Sequence, residues 1–197
     1  MRLYESKISG NCWKVRQLLA LRGLPYESVE LSVSDRSNRP EVIGGLNPAL
    51  RVPTLVLDDG RALAESNAIM LYLAEGTDLV PEDPFERAQV FQWLFYEQYD
   101  HEPTLAVARF QAQYAAQTDE VALARAQEGG RRVLAAMDAH LAGRSFLVAE
   151  RFTVADIALF AYTHVAEEGG FALSEYPAVQ AWLARVAAQP GHVRLLD

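Results

Sequence analysis

The chain has 197 residues, half of them hydrophobic and 22% charged, with a formal net charge of −8. No window holds the roughly 18 uninterrupted apolar residues that a membrane-spanning helix needs, which excludes a membrane-spanning protein. The acidic balance and the lack of a basic run argue against nucleic acid as a partner. The single cysteine, Cys12, excludes a disulfide framework and a multi-cysteine metal site. Because Met1 leads straight into a charged segment without an apolar leader, a cytoplasmic protein is expected.

The first 76 residues predict a small mixed sheet with helices. Each predicted element is short and bounded by turn residues: a strand at 2–4, a helix ending before Gly23, a strand at 26–31, a loop at 32–40, strands at 54–57 and 61–64 joined by Asp58-Asp59-Gly60, and a helix that starts at Ser66 and ends before Gly76. The order β-α-β-(loop or short helix)-β-β-α combines parallel and antiparallel pairing.

After residue 76 the strand signals end. Four helical segments are predicted: 85–114 with an interruption at Pro103, 120–141, 154–167 and 177–188. The chain is therefore interpreted as α/β plus all-α, with an N-terminal domain at 1–76, a linker at 77–84 and an all-helical domain at 85–197.

The segment 47–55 places a proline directly before a strand. Pro53 cannot donate a hydrogen bond to a sheet, so its position there needs a reason. If the Val52–Pro53 bond is cis, the chain turns sharply and the N–H and C=O groups of Val52 stay free for a peptide-like ligand. A turn proline with nothing bound is the alternative.

The dipeptide Glu65-Ser66 stands at the start of a predicted helix. Free N–H groups and the dipole at a helix start attract a carboxylate, and the Glu65 side chain can accept an ammonium group. A site that binds both a carboxylate and an ammonium group is suited to the head group of an α-amino acid. The alternative is a helix that Ser66 simply caps.

Two further patterns lie at helix starts. Ser9 and Asn11 offer hydroxyl and amide donors that can stabilise an anion, including a thiolate, although N-capping explains them equally well. Cys12 beside them is expected to be a small buried residue. Thr153 and Asp156 form a capping box, which we interpret as structural.

These four patterns together resemble the cytosolic glutathione S-transferases across nearly the whole chain, and in particular bacterial serine-type members similar to the theta and zeta classes. The resemblance rests on order and spacing: Ser9-x-Asn11-Cys12-x-x-Val15, Asn47-Pro48-x-x-x-Val52-Pro53-Thr54-Leu55, Glu65-Ser66-x-Ala68-Ile69 and Thr153-x-x-Asp156. It implies a thioredoxin-like N-terminal domain followed by an all-helical C-terminal bundle. It also implies glutathione as co-substrate, no other cofactor, no metal and a homodimer.

The resemblance also implies how glutathione is held. The cysteinyl backbone would pair with Val52 before a cis Pro53, and the γ-glutamyl carboxylate would lie at Ser66 with Glu65 alongside. Leu50 departs from the family pattern, because several serine-type relatives place there a histidine that binds the glycine carboxylate. Three other basic residues are the candidates for that charge: Arg51, Lys14 and Arg39.

The thiol donor is expected to be Ser9, which matches the serine-type position. Asn11 is the second candidate, and Tyr4 stands where tyrosine-type members place their donor. The pocket for the electrophile is expected to involve aromatic and histidine side chains that pack equally well in a core or a dimer: Trp13, Tyr96, Tyr99, His101 and Phe110.

The expected function is conjugation of glutathione to electrophilic small molecules. Two alternatives on the same fold stay open: a glutathione-dependent disulfide or peroxide reductase, and a non-catalytic interaction module. Retention of both Glu65-Ser66 and a thiol donor favours the enzyme over the interaction module.

Overall fold

The computed structural model describes all 197 residues, which form two compact units. The first contains Met1–Glu75 and Pro190–Asp197, and the second contains Gly76–Gln189. The last eight residues therefore lie with the N-terminal unit, whereas the sequence placed them in the helical domain. None of the helices is both long enough and apolar enough to cross a membrane.

The first unit has the expected mixed sheet. Its elements are β1 (Arg2–Glu5), α1 (Gly10–Leu21), β2 (Glu27–Glu30), α2 (Arg39–Ile43), β3 (Thr54–Val56), β4 (Ala62–Ala64) and α3 (Ser66–Ala74). The strands lie in the order β2-β1-β3-β4. β1 and β2 are parallel, and the other two pairs are antiparallel. This confirms the thioredoxin-like architecture.

Neighbouring residues of β1 serve opposite faces of the sheet. Tyr4 packs with Leu31 and Ile43 on the face that α2 covers. Leu3 is fully buried, as are Leu18 in α1 and other core residues of this unit. Burial on both faces explains why β1 is apolar at consecutive positions rather than alternating.

A buried ion pair fixes the end of β1. Arg16 of α1 donates to the Glu5 carboxylate, and both side chains are at most 5% exposed. Ser28 of β2 donates to the other Glu5 oxygen at 2.7 Å. Arg16 also bonds the backbone carbonyls of Lys7 and Leu195. One guanidinium therefore joins the first strand, the first helix and the C-terminal segment.

The C-terminal segment is held at every second carbonyl. Gln17 donates to the Gly191 carbonyl at 3.0 Å, and Trp13 Nε1 donates to the Val193 carbonyl at 2.8 Å. Beyond the Leu195 carbonyl, Lys7 binds that of Asp197 at 3.3 Å. Gln17 Oε1 also accepts from the Val193 N–H at 2.9 Å. These bonds explain why residues 190–197 belong to the first unit.

The second unit is helical, as expected. Its elements are α4 (Pro84–Tyr96), a π-helical turn (Glu97–His101), α5 (Glu102–Gln113), α6 (Glu120–Leu141), α7 (Val154–Thr163), two 3₁₀ turns (Ala166–Gly169 and Leu173–Glu175) and α8 (Pro177–Ala187). α6 has the predicted bounds. α7 ends four residues earlier than predicted, at Thr163, and the 3₁₀ turn at Ala166–Gly169 follows it.

The interruption predicted at Pro103 is confirmed, and it takes the form of the π-helical turn. Proline lacks an N–H group, and its ring clashes with the carbonyl four residues earlier in a regular α-helix. The wider turn at Glu97–His101 immediately precedes Pro103 and changes the hydrogen-bond pattern there. Thr104 Oγ1 bonds the carbonyls of Asp100 and His101 at 2.8 and 2.9 Å.

Asp156 organises the centre of the helical unit. The predicted capping box is present, with Asp156 accepting from the Thr153 N–H at 2.9 Å. The fully buried carboxylate also accepts from the Leu147 N–H at 3.0 Å and from Trp182 Nε1 at 2.9 Å. Burial raises the pKa of Asp156, although these donors oppose the rise. The carboxylate therefore ties α7 to the preceding loop and to α8.

We predict that Asp156→Asn destabilises the protein by about 2–4 kcal/mol, because an amide N–H would face the Thr153 donors that the carboxylate satisfies. Urea unfolding measures the change. The control is Glu128→Gln, which breaks an exposed pair with Arg132 and should cost less than about 0.5 kcal/mol. Equal stabilities of the two variants would contradict the role of Asp156.

Candidate functional site

Strand pairing brings three predicted segments to one end of the sheet. Tyr4 of β1 lies opposite Thr54 of β3, and Thr54 lies opposite Ala64 of β4. Because both pairs are antiparallel, the end of β1, the start of β3 and the end of β4 lie at the same end of the sheet. Three segments adjoin that end: the turn before α1, the Val52-Pro53 dipeptide and the Glu65-Ser66 dipeptide. The sequence patterns therefore converge in space.

Ser9 is the N-cap of α1. Its backbone is extended, and its Oγ accepts from the Cys12 N–H at 3.3 Å. This bond satisfies one of the N–H groups that a helix start leaves unpaired. A hydroxyl that accepts one hydrogen bond still has its own proton to donate. The half-buried Ser9 side chain thus combines the capping role with a donor for an anion.

The start of α3 differs from the expected cap. Glu65, and not Ser66, occupies the N-cap position, and its φ of 66° is in the left-handed region. Ser66 is the first helical residue, and its side chain is buried. A left-handed glutamate is uncommon and is held here between β4 and α3. Its exposed carboxylate lies beside the helix start, as the amino-acid head-group hypothesis requires.

Four polar side chains from α1 and α3 meet at this helix start. Ser66 Oγ donates to Asn11 Oδ1 at 3.3 Å. The Lys14 ammonium lies 3.4 Å from Ser66 Oγ and 3.3 Å from Asn67 Oδ1. Lys14 is fully buried, and a buried cation favours an anion in its surroundings. The cluster adds positive charge to the positive end of the α3 dipole.

The Val52 segment is held on both sides of its free backbone groups. The Val52–Pro53 bond is cis, as predicted. Buried Asn47 donates to the Arg51 carbonyl and to Thr54 Oγ1, each at 3.0 Å. Neither the N–H nor the C=O of Val52 has a backbone partner within the chain. A peptide-like ligand can pair with both groups.

The three candidates for binding the glycine carboxylate differ in their contacts. Lys14 faces Ser66 and Asn67. Arg39 is 2% exposed, and its two terminal nitrogens bond the backbone carbonyls of Ser32 and Leu50. Arg51 is exposed beside Val52. The geometry therefore favours Arg51 among the three.

Residues around the first helix divide into site and core. Cys12 is fully buried, as expected, and accepts from the Ser6 N–H at 3.3 Å. Trp13 is 1% exposed and packs against the C-terminal segment near His192, a core position rather than an open pocket wall. Tyr4 is buried with the apolar cluster under α2.

The aromatic candidates of the helical unit have different environments. His101 is fully buried, and its Nε2 lies 2.8 Å from Thr163 Oγ1. Tyr96 packs edge-on against Trp93, with ring centres 5.4 Å apart. Tyr99 is 84% exposed, and Phe110 is partly buried. His101 is thus a core residue, and a role for the other three in binding an electrophile stays a prediction.

Sequence reasoning missed the roles of Asn67, Asn47 and Arg39. Asn67 adjoins the Glu65-Ser66 motif. An amide side chain at the second position of a helix could have indicated a polar contact there. Asn47 precedes Pro48, where an Asx turn is common, and its Oδ1 does accept from the Ala49 N–H at 3.0 Å. Arg39 had no comparable local signal, because its partners are backbone carbonyls 7 and 11 residues away.

Comparison with known proteins gives matches along the chain. Residues 8–75 match the family model described as "Glutathione S-transferase, N-terminal domain", and residues 91–190 match the corresponding C-terminal domain. A crystal structure of a glutathione S-transferase from Pseudomonas fluorescens is 44% identical, with a TM-score of 0.94, over 100% of this chain and 98% of that one.

Two curated relatives show the range of related proteins. Glutathione S-transferase 1 of Schizosaccharomyces pombe is 30% identical over 91% of this chain and 88% of its own length. Elongation factor 1-gamma of Artemia salina is 32% identical over 85% of this chain, which spans only 40% of that protein.

We predict that Cys12 resists alkylation in the folded protein. Burial raises the pKa of its thiol to about 11, so little thiolate forms at pH 8, and no surface of the residue is exposed. Iodoacetamide at pH 8 should label the folded chain at least about 100-fold more slowly than the chain in urea, because both thiolate and access are lost. Equal labelling rates would place Cys12 in an accessible, reactive position.

Proposed function

Because the chain belongs to the glutathione S-transferase family, we propose that it is an enzyme that conjugates glutathione to electrophilic small molecules. The observation that carries the proposal is the convergence of three kinds of group at one end of the sheet. These are a hydroxyl donor at Ser9, free backbone groups at Val52, and a charged, donor-rich helix start at Ser66. They match the thiol, the cysteinyl backbone and the γ-glutamyl head group of one tripeptide.

The head group of glutathione binds at the start of α3. Its carboxylate accepts hydrogen bonds from the first N–H groups of the helix and from Ser66, with Lys14 supplying a positive charge behind them. Its ammonium group pairs with Glu65. The Val52 N–H and C=O bind the cysteinyl residue, and Arg51 binds the glycine carboxylate at the other end.

The reaction needs a thiolate. A free thiol has a pKa near 8.5, so only a few per cent is ionised at pH 7. Ser9 donates its hydroxyl proton in a hydrogen bond to the sulfur, which favours the anion. The thiolate then attacks an electrophilic carbon, and a C–S bond forms. The bond to the leaving group breaks with its electron pair, or, in an addition, the neighbouring atom takes up a proton.

Asn11 is the weaker candidate for the thiol donor. Its Oδ1 already accepts from Ser66, which directs the amide toward the head-group site. The Ser9 hydroxyl instead accepts from the Cys12 N–H, within the start of its own helix. We therefore keep Ser9 as the donor and assign Asn11 to the positioning of Ser66.

We also propose that the protein is a homodimer. One face of α4 and the following π-turn exposes three aromatic side chains in helical spacing: Phe85, Phe95 and Tyr99. Each is at least 72% exposed in the single chain. An exposed apolar stripe of this kind typically marks an interaction surface, and a second copy of the chain presents the same stripe for a two-fold contact.

The reductase alternative has no support from a protein thiol. The only cysteine is buried and its pKa is raised, so a glutathione-dependent reductase on this fold would have to use the thiolate of glutathione itself for disulfide exchange. The non-catalytic alternative keeps the same fold, and elongation factor 1-gamma is a relative of this chain. Retention on immobilised glutathione, followed by turnover of a model electrophile, separates the enzyme from the interaction module.

We predict that Glu65 contributes more than the Ser66 hydroxyl to glutathione affinity. Ser66→Ala removes one hydroxyl and leaves the helix N–H groups, so it should cost on the order of 1 kcal/mol. Glu65→Ala removes a charged partner of the ammonium group and should cost about 1.5–3 kcal/mol. Calorimetric titration with glutathione measures both. Unchanged affinity in both variants would exclude this helix start as the binding site.

We predict that Ser9→Ala raises the pKa of the bound glutathione thiol by about one to two units, which corresponds to a hydrogen bond to an anion worth roughly 1.5–3 kcal/mol. The pH–rate profile for a model electrophile should move to higher pH by that amount, while glutathione affinity changes little. Asn11→Ala is the matched control. A shift in Asn11→Ala but not in Ser9→Ala would make Asn11 the thiol donor.

A further inference from the structure

Leu50 holds an unusual backbone conformation two residues before Val52. Its φ is 55°, in the left-handed region that bulky side chains rarely adopt. Such a conformation persists only where surrounding contacts maintain it. Leu50 lies close to the free backbone groups of Val52, so the contacts that maintain its conformation also affect where a ligand can bind.

Arg39 supplies the contact. Its Nη1 donates to the Leu50 carbonyl at 2.9 Å, and its Nη2 donates to the Ser32 carbonyl at 2.6 Å. The side chain is 2% exposed, and no carboxylate pairs with it. Its Nε is buried without a hydrogen-bond partner. Burying an uncompensated cation costs free energy, so this arginine is a poor choice for stability alone.

The same stretch of chain before Val52 is held by Asn47. This residue accepts from the Ala49 N–H, and its carbonyl accepts from the Leu50 N–H at 2.9 Å. Its amide donates to the Arg51 carbonyl at 3.0 Å. Arg39 and Asn47 together therefore fix the peptide groups on the N-terminal side of Val52. Neither residue bonds the Val52 N–H or the Val52 C=O, which have no backbone partner within the chain.

We propose that Arg39 is a positioning residue for glutathione, an inference that rests on the proposed function. Its guanidinium holds Leu50 in the left-handed conformation and so directs the Val52 N–H and C=O toward the cysteinyl backbone of the ligand. Arg39 itself does not touch the ligand, because its side chain is buried and its guanidinium bonds two backbone carbonyls of its own chain. Pre-arranging these two groups removes an ordering cost from binding.

The test uses Arg39→Met, Leu50→Gly and the double variant. Arg39→Met removes both carbonyl contacts and should raise the glutathione Kd and KM about tenfold, while kcat at saturating glutathione changes less than about twofold. Leu50→Gly alone should bind close to normally, because glycine adopts a positive φ without penalty. In the Leu50→Gly background, Arg39→Met should therefore cost at most about threefold in Kd.

Three outcomes would overturn the inference. Normal affinity in Arg39→Met would show that the contact does not matter for binding. An equal loss in both backgrounds would show that the effect does not pass through Leu50. A fall in kcat with unchanged KM would place Arg39 in the chemical step.

Two controls complete the design. Thermal unfolding establishes that each variant is folded at the assay temperature, and Arg39→Lys, which keeps one donor to a carbonyl, replaces Arg39→Met if that variant unfolds. The glutathione Kd of Arg39→Lys should then be higher than that of the wild type, by less than about tenfold. A Kd equal to that of the wild type would contradict the inference. A wild-type chain that fails to bind glutathione would overturn the proposed function itself, and the inference with it.

Discussion

The buried pair between Glu5 and Arg16 constrains the geometry of the candidate site. Neither charge has significant access to water, so each depends on the other and on the surrounding hydrogen bonds. The pair ends β1 and sets where α1 runs relative to the sheet. Ser9 lies in the short turn between them, so the position of its hydroxyl follows from this contact. A buried pair contributes little net stability, but loss of either partner would leave the other charge buried and unpaired.

Accessible and buried polar groups have different roles in the candidate site. The Ser9 hydroxyl, the Val52 backbone and the Glu65 carboxylate are the groups that a ligand meets. Behind them, buried Lys14 contacts Ser66, the neighbour of Glu65, and buried Asn47 bonds the carbonyl of Arg51, the neighbour of Val52. Such supporting contacts keep donors and acceptors in place before the ligand arrives, which lowers the ordering cost of binding.

Local sequence signals predicted the fold well. The turn at 58–60 specified its hairpin, Pro103 marked the interrupted helix, and the bounds of α6 followed from its apolar period. These features depend on neighbours within a few residues. The docking of residues 190–197 onto α1 was not predictable in this way, because its contacts join residues more than 170 positions apart.

The site was predicted in part for the same reason. Motif order identified Ser9, Val52 and Ser66, and strand register then brought their segments together. The left-handed Glu65 and the contact between Lys14 and Ser66 were missed. The first depends on how β4 joins α3, and the second on how α1 packs against α3, with the two partners 52 positions apart. Composition and spacing contain no direct measure of such packing.

The return of the C-terminal segment also sets an order for synthesis. The first unit is built from both ends of the described chain, with the helical unit inserted between residues 75 and 190. Since domains tend to fold as they leave the ribosome, the helical unit can complete its core while the first unit still lacks residues 190–197. Until then Trp13 has no Val193 carbonyl to bind, and Arg16 has no Leu195 carbonyl. Of the two units, the N-terminal one therefore begins to be translated before the helical unit and completes its contacts after it.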